Sequence, residues 1–150
     1  MVAQSDFENL YQELLIDHSR ERHGYGLVPN ASAESHGVNR SCGDEITLHI
    51  CAGDGLIESV NWSGQGCAIS QASASMLSDL MQGLPPTECT QRANAFRAML
   101  QSRGKDQGSS ELLGDAAALC GVSLYPPRIN CAMLAWTAFE DGLSRIAPSH

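Results

Sequence analysis

Three cysteines and one aspartate are the side chains of this chain best suited to chemistry. Cys42 and Asp44 flank a glycine in NRSCGDEITLHI, just before a segment with the alternating pattern of a β-strand. Cys67 lies between a glycine-containing turn and a predicted helix start, and Cys131 is expected in the first turn or so of the last helix. Two alternatives follow: ordinary turn chemistry around separate cysteines, or a shared metal site.

The metal interpretation depends on the donor atoms that these four side chains offer. Residues two apart in an extended segment project to the same side, so Cys42 and Asp44 are expected to face one ion. Three thiolates and one carboxylate make a closed tetrahedral set for zinc, which accepts both sulfur and oxygen. The partial positive charge of a helix N-terminus would favour thiolates at Cys67 and Cys131.

Spacing leaves both alternatives open. Cys42-Gly-Asp44 is followed by 22 residues before Cys67 and by 63 more before Cys131, which matches no general zinc pattern. Free cysteines are also among the residues most often buried. The remaining cysteines and the histidines are predicted to be core, surface or hydrogen-bonded groups without a metal role: Cys51, Cys89, Cys120, His18, His23, His36 and His49.

Composition predicts a globular, acidic protein. The 150 residues are 43% apolar and 17% charged, with a formal net charge of −8. Nucleic-acid binding is not expected, because neutralising phosphates requires a basic face. The N-terminus lacks a basic stretch followed by an apolar one, and no apolar run approaches the roughly 20 residues that span a bilayer. We therefore predict a cytoplasmic protein with no membrane association and with reduced thiols.

Hydrophobic periodicity predicts a single α+β domain over residues 1–150. A helix is expected at about 6–19, capped by Asp6, and a β-hairpin is expected around Gly53-Asp54-Gly55. Residues 20–41 look like a long polar loop, and about 102–114 like a flexible insert. The first helix would bury Phe7, Leu10, Tyr11, Leu14 and Leu15; the strands would include 46–51 and 57–62; later helices are expected within 67–83, 87–102, 111–122 and 127–143.

Three segments resemble the signatures of the IscU/NifU/SufU family of iron–sulfur cluster assembly proteins. They are CGDEITLHI, WSGQGCAISQASASML and GVSLYPPRINCAMLAW, and LYQELLIDH resembles the family's N-terminal helix. The resemblance extends over roughly residues 7–143. It implies an IscU/SufE-like fold, with a small antiparallel sheet of about three strands packed against several helices.

Within that family the chain resembles the SufU branch. Asn130 stands where the IscU branch has histidine before its third cysteine, and GKDQGSSELLGDAAAL lengthens the interval before it. Arg128 lies three residues before Cys131, as an arginine does in SufU. The resemblance implies a zinc-dependent sulfurtransferase of iron–sulfur cluster biogenesis, which accepts persulfide sulfur from a SufS-type cysteine desulfurase and stimulates its turnover. It would serve downstream assembly machinery. Carried over residue by residue, the zinc ligands are Cys42, Asp44, Cys67 and Cys131.

The resemblance also implies how sulfur is accepted. A histidine of the desulfurase would enter the zinc shell and release Cys42, which would take the sulfur as a persulfide. Arg128 would steady the Asp44 carboxylate or the released thiolate. The alternatives are a non-enzymatic scaffold that holds a transient iron–sulfur cluster on the same cysteines, and a purely structural zinc module. The chain departs from the usual family sequence at NRSCGD and RERHGYG, which puts partner docking in doubt more than metal binding.

Overall fold

The computed structural model describes residues 4–146, with side chains from residue 12 onward. Its architecture is α+β, as predicted, with a three-stranded antiparallel sheet and helices packed against it. The elements are α1 Gln4–Glu21, β1 Ala33–Asn39, β2 Asp44–Gly53, β3 Leu56–Gln65, α2 Ala68–Met81, α3 Pro86–Leu100, α4 Ser110–Leu113, a 3-10 helix Gly114–Leu124 and α5 Pro126–Ser144.

The sheet has the order β1-β2-β3 and is made of two hairpins. The predicted β2–β3 hairpin is confirmed. Its two-residue loop is Asp54-Gly55, with φ angles of 55° and 78°, and such a loop with both φ angles positive matches the twist of the flanking strands. The β1–β2 hairpin ends in the ladder pair Asn39–Asp44. The turn 40–43, which contains Cys42, is therefore held at both ends by the sheet.

The expected long loop at 20–41 is wrong in its second half, because Ala33–Asn39 forms β1. The residues of β1 with the least exposed side chains include Ala33 and Ser35, which are small and carry no strong apolar signal. A Cβ added to Gly37 would lie 3.0 Å from a methyl carbon of Leu134 on α5. Close packing of α5 thus explains why this strand shows no conventional alternation of large apolar side chains.

The core lies between the sheet and α2, α3 and α5. Leu48, Ile50 and Trp62 face inward from the strands and are almost fully buried. Trp136 of α5 stacks on Phe96 of α3 with ring centroids 3.9 Å apart. Both tryptophans are almost fully buried, and their burial holds α5 in a defined position over β1 and β2.

Two helix starts differ from expectation. The described part of α1 already includes Gln4, so Asp6 lies inside the helix and the prediction that it caps the helix is wrong. The helix α5 begins at Pro126, so Cys131 lies in its second turn and not in its first. Dipole stabilisation falls off within one turn, which removes most of that argument for a Cys131 thiolate.

The remaining elements follow the prediction closely. Leu14 and Leu15 pack half-buried against the core, whereas the side chains of Phe7, Leu10 and Tyr11 lie outside the described residues. The expected short helices are α4 and the 3-10 helix. Residues 102–109 form turns and irregular backbone, and their flexibility stays a prediction. Among the helices of residues 4–146, none combines the length and apolarity that crossing a membrane requires.

Candidate metal centre

Cys42 lies in the four-residue turn between β1 and β2, and its side chain is exposed. The expectation of an extended segment here is wrong: residues 40–43 form a turn, and Gly43 has a φ of 72°. A positive φ is easily adopted by glycine. The turn still brings Cys42 close to Asp44, the first residue of β2, so the two side chains meet for a different geometric reason.

Asp44 is fully buried, which is unusual for a carboxylate. Its Oδ1 accepts the backbone N–H of Cys67 at 2.9 Å, and its Oδ2 lies 4.0 Å from the Cys67 sulfur. Cys67 is the N-cap residue of α2, and the N-terminus of a helix stabilises nearby negative charge. The carboxylate is therefore held in a fixed orientation beside a second predicted ligand.

Gly66 provides the space that the Asp44 carboxylate occupies. A Cβ on Gly66 would overlap Oδ1 of Asp44 and would lie 2.5 Å from Oγ of Ser70. The Ser70 hydroxyl in turn donates to the carbonyl of Cys67 at 3.0 Å. The Cys67 side chain makes no capping hydrogen bond to α2, so its sulfur stays available beside the buried carboxylate of Asp44.

Cys131 completes the group from α5. Its side chain is fully buried, and its sulfur lies 3.2 Å from the sulfur of Cys42. The side-chain amide of Asn39 donates to the Cys131 sulfur at 3.7 Å. Burial raises the pKa of the Cys131 thiol, and hydrogen bonding with Cys42, Asp44 and Cys67 raises that pKa further. A nearby cation would favour the thiolate form at this position.

The structure groups three of the four residues that the sequence predicts as ligands, and places the fourth, Cys67, beside Asp44. Donor atoms of Cys42, Asp44 and Cys131 lie within 4.8 Å of one another, and Cys67 joins them through Asp44. In their ionised forms these four donors, of which two are buried, would repel one another unless a cation lay between them. Three sulfurs and one carboxylate oxygen suit zinc, so the donor set fits this ion.

Arg128 is exposed at the third position of α5. Hydrogen bonding to the Cys131 sulfur raises the pKa of the Arg128 guanidinium, and the charges of Cys67 and Cys131 act in the same direction. Asn130 is also exposed.

A second group of possible ligands lies away from this centre, at the end of α1. His18 is buried, with Nδ1 at 2.7 Å from Ser75 Oγ and Nε2 at 2.9 Å from Asp115. Ser75 also accepts the backbone N–H of His23 at 2.8 Å. Both His23 ring nitrogens lie near carboxylates as well. Each ring nitrogen of these two histidines has a hydrogen-bond partner, and the cluster joins α1 and its following loop to α2.

We expect this cluster to make stability depend on pH. Hydrogen bonds to Asp79 at 2.5 Å and to Glu21 at 2.9 Å raise the pKa of His23, while slight burial opposes them. A raised folded-state pKa means that the contribution is complete below the unfolded value of about 6.5 and is lost as pH rises through the folded value. Urea unfolding should show that the free energy of unfolding falls between pH about 5.5 and pH about 8.5, and that it falls less in His23→Gln than in wild type. Equal losses would contradict the prediction.

Comparison with known proteins shows the family to which this chain belongs. The family described as NifU-like N terminal domain matches residues 10–132. This chain belongs to that family. The NifU-like chain is 35% identical to the iron–sulfur cluster assembly scaffold protein IscU of Streptococcus pyogenes, over 97% of this chain and 90% of that protein. It is 34% identical to the zinc-dependent sulfurtransferase SufU of Bacillus subtilis, over 97% of each.

A solved structure shows the same fold in this NifU-like family. A protein of Fervidobacterium islandicum, described as an iron–sulfur cluster assembly scaffold protein for the SUF system, superimposes with a TM-score of 0.78. It is 32% identical, and the match covers 91% of this chain and 98% of that one. The expected family and fold are both confirmed.

Sequence reasoning missed two residues at the site, Asn39 and Gly66. Asn39 lies three residues before Cys42 in the same segment, and an amide so near a candidate ligand is a signal that could have been used. Gly66 directly precedes Cys67, within the glycine-containing turn. Its steric role depends on the position of Asp44, which is distant along the chain.

Proposed function

We propose that the NifU-like chain is a zinc-dependent sulfurtransferase of iron–sulfur cluster biogenesis, working with a SufS-type cysteine desulfurase. The observation that supports this most strongly is an asymmetry among the four donor residues. Asp44 and Cys131 are buried and Cys67 is half-buried, whereas Cys42 is exposed in a turn. A group of ligands with a single exposed cysteine suits a task in which one sulfur meets a partner protein.

Cys42, Asp44, Cys67 and Cys131 would hold the zinc ion. When bound, the ion keeps thiolates deprotonated near neutral pH. Asp44 remains anchored by the N–H of Cys67, and Cys131 remains anchored in α5. Cys42 has neither restraint, because its turn is exposed and is held only at its two ends.

In the transfer step the Cys42 thiolate attacks the outer sulfur of the desulfurase persulfide. A new S–S bond forms on Cys42, the S–S bond of the desulfurase breaks, and the desulfurase cysteine leaves as a thiolate. The number of thiolates is unchanged, so no oxidant or reductant is needed. Arg128, which lies three residues before Cys131 on α5, would stabilise the negative charge on the persulfide.

A scaffold function is the second candidate, in which a transient iron–sulfur cluster is the cargo of the same cysteines. The relative from Streptococcus pyogenes favours it, because that protein is named a scaffold and is as similar to this chain as SufU is. Asn130 favours the transferase, since it leaves no histidine beside Cys131. The longer interval between Cys67 and Cys131 favours the transferase as well.

Metal analysis and desulfurase turnover together test the proposal. Protein purified without added iron should hold one zinc ion, and adding it should raise the turnover of a SufS-type desulfurase. Asp44→Ala should reduce both the zinc content and the stimulation, since one ligand is lost. A reconstituted cluster that passes to an acceptor protein, with no stimulation of the desulfurase, would instead establish the scaffold function.

A further inference from the structure

Asn39 lies where two of the four donor residues meet. It is the last residue of β1 and pairs directly with Asp44, the first residue of β2. Residues directly opposite each other in an antiparallel pair project to the same face of the sheet. Asp44 points into the buried side, where α5 packs on β1 and β2. Asn39 is therefore directed towards α5, and its Nδ2 donates to the Cys131 sulfur at 3.7 Å.

The contacts of the Cys131 sulfur show why this donor matters. The sulfur also lies 3.2 Å from the sulfur of Cys42 and 3.9 Å from the carbonyl oxygen of Pro127. Both neighbours are electron-rich and would repel a thiolate. Among the hydrogen bonds of the described residues, that from Asn39 is the one in which an uncharged group from outside the four-residue site donates to one of its sulfurs. The amide therefore stabilises a thiolate at Cys131 without adding charge.

We propose that Asn39 is a positioning residue that keeps Cys131 bound to the metal while Cys42 is released. This inference rests on the zinc-dependent function proposed above. Groups that donate hydrogen bonds to metal ligands fix their orientation and tune their basicity. Cys131 has such a donor and is buried, whereas Cys42 is exposed. The difference determines which sulfur leaves and which stays.

Zinc affinity tests the inference directly. Asn39→Ala removes the donor, and Asn39→Leu removes it while retaining most of the side-chain volume. Loss of such a donor typically weakens metal binding about 10- to 100-fold, and we expect both variants to show a zinc dissociation constant raised by that factor. Asn61→Ala is the matched control, because the Asn61 amide donates to the carbonyl of Gly24, away from the site. Its zinc affinity should equal that of wild type.

Two further measurements separate positioning from a general structural role. With cobalt in place of zinc, the thiolate-to-metal charge-transfer band should shift to lower energy in both Asn39 variants and not in Asn61→Ala. In zinc-loaded protein, N-ethylmaleimide should modify Cys42 first in wild type, and should modify Cys131 as well in the variants. Peptide mass spectrometry measures the rates at which Cys42 and Cys131 are modified.

The outcomes distinguish this inference from the function on which it rests. A wild-type protein that binds no zinc would overturn the proposed function. If wild type binds zinc, and both Asn39 variants keep its zinc affinity, its cobalt charge-transfer band and its pattern of N-ethylmaleimide modification, only the role of Asn39 is overturned. Failure of both variants to fold would also overturn it, because Asn39 would then support the hairpin and not the choice of leaving ligand.

Discussion

Cys42→Ala should abolish stimulation of the desulfurase while leaving the protein folded. The side chain is exposed in the turn between β1 and β2, so its truncation removes little buried surface. Surface substitutions of this kind usually change the free energy of unfolding by no more than about 0.5 kcal/mol. The lost sulfur, in contrast, is the proposed acceptor. Turnover with the variant should therefore equal that of the desulfurase alone, and radiolabelled sulfur should not appear on the variant.

Cys51→Ala is the matched control for this experiment. Cys51 is half-buried on β2, close to the register shift at Cys51/Ala52 and away from the turn that holds Cys42. We expect this variant to stimulate the desulfurase and to carry labelled sulfur as wild type does. If Cys42→Ala behaves like Cys51→Ala, the acceptor assignment is wrong. If it cannot fold with or without zinc, the site is a structural zinc module.

Gly66→Ala should weaken zinc binding by at least about tenfold, although it adds a single methyl group and changes no ligand. The added Cβ would overlap Oδ1 of Asp44 and press on Oγ of Ser70. Asp44 is fully buried and anchored to the backbone of Cys67, so its carboxylate cannot move aside without losing that hydrogen bond. Competition with a chromophoric chelator measures the affinity, and circular dichroism confirms the fold.

Gly121→Ala provides the comparison. Gly121 is exposed in the 3-10 helix, and a Cβ there would meet no atom within 4 Å. Its zinc affinity should match wild type. Equal affinities for Gly66→Ala and wild type would show that Asp44 is not a ligand or that its carboxylate is not confined by Gly66.

Most of the fold was predictable from local signals. The hairpin around Asp54-Gly55 depends on two residues that tolerate positive φ. The apolar residues of α2, the helix that follows Cys67, recur with a clear helical period. The strand β1 was not predictable in the same way. Its least exposed positions are small because α5 packs against them, so its pattern depends on an element about a hundred residues later.

The candidate site was likewise predictable from the sequence only in part. The sequence by itself predicted Cys42, Asp44, Cys67 and Cys131 as candidate ligands, because their residue types suit a metal ion and their segments resemble those of the family. Tertiary structure decided how they meet. Cys42 lies in a turn and not in a strand, and Cys131 lies in the second turn of α5.

Tertiary structure also decided what surrounds these four residues. Asn39 donates to the sulfur of Cys131, and Gly66 makes room for the carboxylate of Asp44. The physical reason is that a ligand's type is a property of one residue, whereas its burial, its donor and its freedom to leave depend on neighbours that the chain brings together only when it folds.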